Sequence, residues 1–215
     1  MVTVSRAAAV ALLLATLLVA SCTRYVDDAR AVAADDRSPL ADASQCEAVD
    51  APLTTIPAVK DDEPVMKIPQ PQGWTRSTKL DSELFRFAMI NRSLTADGFA
   101  PNVVVTLESV PGFEHPADVF DSQREALESG FGATDLRVRE HTLCGQPAET
   151  VQYLTPEMGN LATHPGTVVM AVMHTDDATY AASVTIQTAN PDDPTYRRDA
   201  EAILTGFQFL PPASG

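Results

Sequence analysis

The sequence predicts an α+β fold in which an antiparallel β-sheet of about six to seven strands packs between α-helices. From residue 63 onward, short segments of alternating apolar and polar residues follow one another with turn signals between them, which is typical of strands linked by hairpins. Only two segments have helical periodicity. A parallel, doubly wound sheet needs a crossover helix between most of its strands, and we therefore expect antiparallel pairing.

The predicted strands differ in how their apolar residues are distributed. Residues 102–109 alternate most regularly, with Val103, Val105 and Leu107 on one face, and we expect this strand to lie centrally. Residues 167–175 are apolar on both faces, which is typical of a strand covered on both sides. Further strands are predicted at residues 65–68, 84–90, 135–142, 146–155, 179–188 and 207–210. One face of the strand at residues 84–90 carries the apolar side chains of Phe85, Phe87 and Met89.

Two amphipathic helices are predicted. The first covers residues 116–129, with Pro116 at its start and Gly130 beyond its end. The apolar arc of this helix consists of Val119, Phe120, Ala126 and Leu127. The second begins at an acidic cap followed by proline, Asp193-Pro194, and ends at Gly206. It directs inward Tyr196, Ala200, Ile203 and Leu204.

The first 21 residues have the layout of a secretory signal peptide: one charge, Arg6, and then an unbroken run of apolar and small residues. The run ends in Leu18-Val19-Ala20-Ser21, directly before Cys22, and resembles the lipobox at which bacteria attach a diacylglycerol to cysteine. The alternative is an ordinary secretory signal followed by a coincidental cysteine. We predict a signal peptide at residues 1–21, a lipidated N-terminus and flexible tether at residues 22–62, and one α+β domain at residues 63–215. Lipid on Cys22 would bind the protein to the plasma membrane.

If Cys22 carries lipid, Cys46 and Cys144 are the two remaining cysteines of an exported chain. An oxidising compartment favours a disulfide between them. Two free buried thiols or a metal-binding pair are the alternatives, but no histidine at zinc-site spacing accompanies the cysteines. The formal net charge of −14 excludes binding to the phosphate backbone of nucleic acid as a main function.

The sequence contains no recognisable motif of enzyme, metal or nucleotide chemistry, and we predict no catalytic residue, cofactor or metal. His174 and Asp176 are the one conceivable acid–base pair, yet a histidine at a strand end is more often structural. The acidic segments Asp61-Asp62-Glu63 and Asp192-Asp193 have the chemistry to clamp a cation. A solvated loop and a helix cap are the simpler interpretations of these segments.

Four segments resemble the mycobacterial lipoprotein family LpqN/LpqT: IPQPQGW at residues 68–74, PNVVVTLE at 101–108, LCGQPA at 143–148 and DDPTYRRDAEAILTGF at 192–207. The resemblance covers the whole predicted domain and consists of core and turn features. It implies a PsbP-like fold, a location on the outer face of an actinobacterial plasma membrane, and an accessory or partner-binding role in assembling the cell envelope. It brings no catalytic residues with it.

Our first hypothesis is therefore a non-enzymatic lipoprotein that binds a protein partner of the envelope machinery. Phe99, Phe113 and Met158 lie in predicted loops, where exposed apolar side chains often border an interface, and they are the candidate contact residues. The second hypothesis is a carrier or sensor of an apolar or glycolipid ligand held between sheet and helix, and an enzyme such as a hydrolase comes third. A carrier needs a deep apolar pocket, whereas a partner-binding protein needs only an exposed surface.

Overall fold

The computed structural model describes residues 45–213, and the predicted signal peptide and Cys22 lie outside them. The described part contains two antiparallel sheets and two α-helices. The strands are β1 Leu53–Ile56, β2 Val65–Pro69, β3 Thr75–Arg76, β4 Phe85–Ile90, β5 Asn102–Pro111, β6 Thr134–Leu143, β7 Gln146–Leu154, β8 Pro165–His174, β9 Ala178–Gln187 and β10 Gln208–Leu210. The helices are α1 Pro116–Glu125 and α2 Pro194–Thr205, with a short 3₁₀ helix at Arg92–Leu94.

The larger sheet has seven strands in the order β3-β4-β5-β9-β8-β7-β6, and every neighbouring pair is antiparallel. Its longest pairing joins β5 to β9 over ten residues, from Asn102 opposite Gln187 to Pro111 opposite Ala178. One face packs against α2 and the smaller sheet, and the opposite face packs against α1. We call these the α2 face and the α1 face. The predicted α+β fold, an antiparallel sheet between helices, is confirmed.

The smaller sheet has the order β1-β2-β10 and includes a segment that was predicted to be tether. Leu53 pairs with Pro69 and Ile56 with Met66, and Ile56 is only 3% exposed. The prediction that the tether extends to residue 62 is therefore wrong for β1. This strand is short and buries only one of its four residues, and it belongs to the fold because β2 pairs with it.

The hydrophobic core has one layer on each face of the large sheet. The α2-face layer includes Trp74, Phe87, Val105, Val169, Ile186, Ile203, Phe207 and Phe209. The α1-face layer consists of Val119, Phe120, Ala133, Val151, Tyr153, Val168, Met170 and Val172. Strand β8 contributes to both layers, as its two-sided apolar pattern predicts.

The first helix differs from its prediction in its last turn. It is α-helical to Glu125 and continues as a π-helical turn, Ala126–Phe131, that contains Gly130 and is capped by Gly132 in the left-handed conformation. In a π turn each backbone hydrogen bond joins residues five apart instead of four. The side chains after Glu125 therefore no longer follow the α-helical rotation of about 100° per residue on which the prediction was based. Ala126 is therefore exposed, and Leu127 is half-buried against the α1-face core.

A β-bulge in β4 changes which of its side chains face the core, so the predicted apolar face is wrong at Phe85. The pairing with β5 shifts between Phe85 and Phe87, which turns Arg86 into the interior and leaves Phe85 38% exposed. A bulge inserts one residue and re-aims its neighbours, so strict alternation fails here. Arg86 makes a buried ion pair with Glu63, which the sequence placed in a solvated loop. A buried guanidinium needs such a partner because desolvation disfavours an unpaired charge.

Candidate functional site

A cavity of about 580 Å³ opens between α2 and the α2 face of strands β6 to β9. We call it the α2 groove. Its walls come from regular elements, which hold side chains more precisely than loops do. The groove is lined by Gln45, Glu47, Arg139, His141, Thr142, Leu143, Cys144, Thr150, Gln152, Thr167, Val169, Ile186, Tyr196, Arg197, Ala200, Glu201, Leu204 and Thr205.

The helical wall of the groove is fixed at both ends and in the middle. Asp193 caps α2 by accepting hydrogen bonds from the backbone N–H groups of Thr195 and Tyr196, at 2.8 and 2.9 Å. The indole N–H of Trp74 donates to Asp199 Oδ2 at 3.0 Å, and Asp199 is 1% exposed. At the far end, Gly206 ends the helix. The predicted α2, with its cap and its inward residues, is thereby confirmed.

The floor of the groove is polar where the rest of this face is apolar. Thr150 and Gln152 on β7 lie opposite Val169 and Thr167 on β8, and His141 comes from β6. Nδ1 of His141 lies 3.1 Å from a backbone carbonyl, which can only accept, so this nitrogen carries the proton. Nε2 then accepts from the Thr150 hydroxyl at 2.9 Å. These groups offer a ligand both donors and acceptors.

The apolar wall consists of Tyr196, Ala200 and Leu204 on α2 with Val169 and Ile186 from the sheet. Burial raises the pKa of Tyr196, and the nearby Tyr153 adds to the shift. The phenol of Tyr196 therefore remains neutral at physiological pH. The groove combines this apolar wall with the polar floor and is open to solvent.

Unpaired cations lie along the groove. Among the arginines of residues 45–213, four make ion pairs: Arg76, Arg86, Arg124 and Arg198. Of the other four, Arg139 and Arg197 line the groove, and Arg137 precedes Arg139 by two residues on the same face of β6. The protein as a whole is strongly acidic, so a positive region of this kind is a local feature.

The structure contains the disulfide predicted between Cys46 and Cys144, with a Cα–Cα distance of 4.1 Å. Cys144 and Gly145 form the two-residue turn between β6 and β7, and both have positive φ angles, of 50° and 80°. That combination is typical of a type I′ hairpin turn. The bond fixes residues 45–47 at the end of the groove, next to the point where the chain enters the domain.

The three predicted contact residues are not brought together. Phe99 and Met158 precede β5 and β8 at one end of the sheet, whereas Phe113 follows β5 at the other end. A ten-residue strand is about 33 Å long, so one small interface cannot include all three. Phe113 is 58% exposed and stacks on His174 at 4.3 Å, and the half-buried Phe99 lies 4.5 Å from the ring of His164. Met158 is exposed.

The acid–base pair considered from the sequence has a structural role instead. His174 Nε2 lies 2.7 Å from the backbone carbonyl of Glu114 and therefore donates to it, and no hydrogen bond between His174 and Asp176 is present among the described residues. Asp193 is a helix cap, as the simpler interpretation predicted. Residues 45–213 contain no group of three or more His, Cys, Asp or Glu side chains arranged to hold a metal ion.

A second, smaller cavity of about 300 Å³ lies at the other end of the α2 face, beside the buried Arg86–Glu63 pair. Tyr180 also lines it, and burial, with further contributions from Asp62 and Glu63, raises the pKa of that phenol. The ion pair holds the loop between β1 and β2 against the large sheet. This cavity has about half the volume of the α2 groove, so the α2 groove remains the better candidate for binding.

Sequence reasoning missed the groove, although a signal was present. Arg137, Arg139 and His141 alternate along β6, and Thr150 and Gln152 alternate along β7, on a face that is apolar elsewhere in the sheet. Recognising them as one surface requires the register between the strands. Once that register is known, the polar positions form a continuous area beside α2.

Comparisons with known proteins agree with this fold. The family model described as "Probable lipoprotein LpqN" matches residues 49–209. A crystal structure of LpqN from Mycobacterium tuberculosis, described as involved in cell envelope biogenesis, is similar with a TM-score of 0.59 and 15% identity, over 76% of this chain and 93% of that one. A Ran-binding protein of Saccharomyces cerevisiae, Mog1p, gives a TM-score of 0.45 at 12% identity, over 75% of this chain and 97% of that one.

A comparison with curated protein sequences gives no match. Within residues 45–213, no helix has the length and apolar character needed to cross a membrane. The similarity to the LpqN structure shows the fold, while the family model covers most of the chain and thus shows the family. The chain belongs to the LpqN family of probable lipoproteins.

Proposed function

We propose that this protein is a membrane-anchored, non-enzymatic lipoprotein that binds a protein partner of the cell envelope through the α2 groove. The observation that carries the proposal is the groove itself: an open surface with a polar floor, an apolar wall and unpaired arginines, held by rigid elements. Interfaces combine apolar and polar contacts in this way. Membership of a lipoprotein family, and the envelope role described for the LpqN of M. tuberculosis, support this assignment.

The proposed anchor is a diacylglycerol on Cys22, on the outer face of the plasma membrane. The disulfide fixes Cys46 to the β6–β7 turn, and the neighbouring Gln45 lines the groove. A flexible chain between Cys22 and Cys46 would have a typical reach of about 25 Å. That reach keeps the groove close to the bilayer and to any partner embedded in it.

A non-enzymatic role is part of the proposal because the polar groups of the groove lack the arrangement that catalysis needs. His141 has its two ring nitrogens engaged by Thr142 O and the Thr150 hydroxyl. No carboxylate of the described residues is hydrogen-bonded to His141 to orient it as a base. Contact surfaces need only matched donors, acceptors and apolar area, which the groove supplies.

The second candidate is a carrier or sensor of an amphiphilic ligand, such as a glycolipid, in the same groove. Its volume lies within the range of small-molecule sites, roughly 300 to 1,000 Å³. The polar floor would suit a head group, and the wall of Tyr196 and Leu204 would suit an apolar chain. The groove is open and has polar side chains along its floor, which favours a polypeptide over a ligand that must bury long acyl chains.

The test fills the groove with one bulky side chain. Gln152 is exposed on the groove floor, and we expect Gln152→Trp to abolish complementation of a deletion strain because the indole occupies the site. Glu125→Trp, at an exposed position of α1 on the other side of the sheet, is the matched control and should complement. Equal complementation by both variants at equal protein levels would contradict the proposal. Lipid extraction of the purified protein distinguishes the partner-binding protein from the carrier. An amphiphile that co-purifies with the wild type but not with Gln152→Trp would support the carrier.

A further inference from the structure

The outer edge of the seven-stranded sheet is β6, and its free side has no strand beside it among residues 45–213. Ten residues long, it is exposed along most of its length, including Arg137, Val138, Arg139 and Glu140. A long exposed edge presents a row of unpaired backbone N–H and C=O groups, which is a template for another strand. Many peptide-binding domains capture their partner by adding it to such an edge.

The hairpin turn determines which backbone groups are free. Leu143 and Gln146 flank a two-residue turn and form a hydrogen-bonded pair, and pairs alternate between bonded and non-bonded along an antiparallel ladder. Arg137, Arg139 and His141 therefore bond to β7. The N–H and C=O groups of the intervening residues point away from the sheet, and these residues are Val138, Glu140 and Thr142. The carbonyl of Thr142 already accepts from Nδ1 of His141, so Thr142 offers only its N–H.

The side chains on the α2 face of this edge are basic. Arg137, Arg139 and His141 follow one another at every second residue, and Arg197 adds a charge from α2 across the groove. Glu47 and Glu201 also border the groove, but neither makes an ion pair with these arginines. A strand added beside β6 would place every second side chain about 4.5 to 5.5 Å from this basic row.

We propose that β6 captures an acidic, extended segment of the partner protein as an eighth antiparallel strand. Backbone hydrogen bonds join the segment to the N–H and C=O groups of Val138 and Glu140 and to the N–H of Thr142, and alternate carboxylates of the segment face Arg137 and Arg139. The inference deepens the proposed function, on which it rests, by giving the partner's contact segment a conformation and a charge pattern. Residues that follow this segment would continue over the α2 groove.

A second copy of β6 fits the same edge poorly. A two-fold antiparallel pairing must place one residue opposite its own copy. Centring on Val138 places Arg137 opposite Arg139, and centring on either arginine places like charges face to face. Directly opposed like charges destabilise a strand pair. The charge pattern of β6 therefore favours a different, acidic chain.

The experiment measures binding of a synthetic peptide to the full chain purified in detergent. The probe is an eight-residue peptide with aspartate at alternate positions and threonine or valine between them, and the control peptide has lysine in place of aspartate. We expect binding of the acidic peptide only. Arg139→Glu should weaken it about ten-fold or more, because one attraction becomes a repulsion. The matched control, Arg92→Glu, changes another exposed, unpaired arginine and should stay within about two-fold.

Proline separates strand addition from simple charge attraction. Val138→Pro and Glu140→Pro each remove an outward N–H without breaking the β6–β7 ladder, and each should weaken binding about ten-fold, whereas Val138→Ala should not. In the wild type, the peptide should also slow amide exchange at Val138, Glu140 and Thr142. This measurement remains informative if a proline variant fails to fold.

Three results would overturn the inference. The first is no binding of the acidic peptide. The second is a peptide that leaves amide exchange at Val138, Glu140 and Thr142 unchanged and loses its binding only in Arg139→Glu. That result would indicate a contact between charges alone, of the kind that vesicles of anionic lipid would also make. The third is self-association that Val138→Pro abolishes, which would identify a second copy as the occupant. If Gln152→Trp still abolishes complementation while Val138→Pro does not, the inference fails and the proposed function stands.

Discussion

Strands β7 and β8 differ sharply between their two faces. On the α1 face, Val151, Val168 and Val172 are buried under Val119 and Phe120 of α1. On the α2 face, the same strands present Thr150, Gln152 and Thr167 to an open groove, although α2 lies beside it. Both faces have a helix available to close them. Over β7 and β8, α1 covers its face while α2 leaves Thr150, Gln152 and Thr167 open, so the α2 groove is the better place to look for binding.

Shortening one side chain on each face should give the largest difference in the free energy of unfolding. Phe120→Ala removes a buried ring from the α1 face and should lower the free energy of unfolding by about 3 to 5 kcal/mol. Thr167→Ala in the groove should change it by no more than about 0.5 kcal/mol. Urea unfolding of both variants, with equal slopes, measures the difference. A loss of more than about 2 kcal/mol in Thr167→Ala would mean that the groove is part of the core.

Removal of the disulfide should have the next largest effect, and it acts on the groove end of the fold. The double variant Cys46→Ala/Cys144→Ala removes a bond between residues 98 positions apart in sequence. Chain entropy predicts a loss of up to about 4 to 5 kcal/mol in the free energy of unfolding, and we expect a loss of about 2 to 4 kcal/mol. The comparison is thermal unfolding of the double variant against the unreduced wild type. Peptide mapping that finds both thiols free in unreduced wild-type protein would contradict the bond.

Glycine on the closed face tests how tightly that face is packed. A Cβ at Gly166 would lie 2.5 Å from Cζ of Tyr153, so Gly166→Ala should cost about 1 to 3 kcal/mol. Gly130→Ala is the matched control, because a Cβ there meets nothing within 4 Å. Chemical unfolding should show the control at least as stable as the wild type. Similar stability of both variants would mean that Tyr153 is not packed as described.

The burial of Tyr153 should also make the stability of the protein depend on pH in the alkaline range. Burial raises the pKa of Tyr153, partly offset by the hydrogen bond from Gln187. A folded-state pKa above the unfolded value contributes stability that is complete below about pH 10 and is lost as the pH rises through the folded pKa. Unfolding free energies measured between pH 8 and 12 should therefore fall above about pH 10, and less steeply in Tyr153→Phe. An identical slope in the variant would contradict the burial of this phenol.

His174→Ala should have the smallest effect on function. His174 donates to a backbone carbonyl and stacks on Phe113, so we expect the variant to complement a deletion strain at wild-type level while losing no more than about 1 to 2 kcal/mol of stability. Circular dichroism confirms folding. A folded but inactive His174→Ala protein, with Gln152→Trp still active, would indicate an enzyme.

Local patterns predicted the elements whose own residues determine them. The alternation of β5 and β9 and the Asp193 cap of α2 are of this kind. The π-helical turn after Glu125 was missed because it continues the helix and changes only the spacing of the hydrogen bonds. Strand β1 and the bulge at Arg86 were missed because each is defined by pairing with another strand. The groove was missed for the same reason. Its polar residues become one surface only in the register that β6, β7 and β8 adopt.

The most direct test of the central claim is site-specific photo-crosslinking in cells. A photoreactive residue is placed at Gln152 in the α2 groove or at Thr185 on the α1 face, in the full-length chain. The account predicts a discrete adduct with one envelope protein from position 152, identified by mass spectrometry, and none from position 185. Adducts of equal yield from both positions, or an adduct from position 185 alone, would contradict the assignment of the groove as the binding surface.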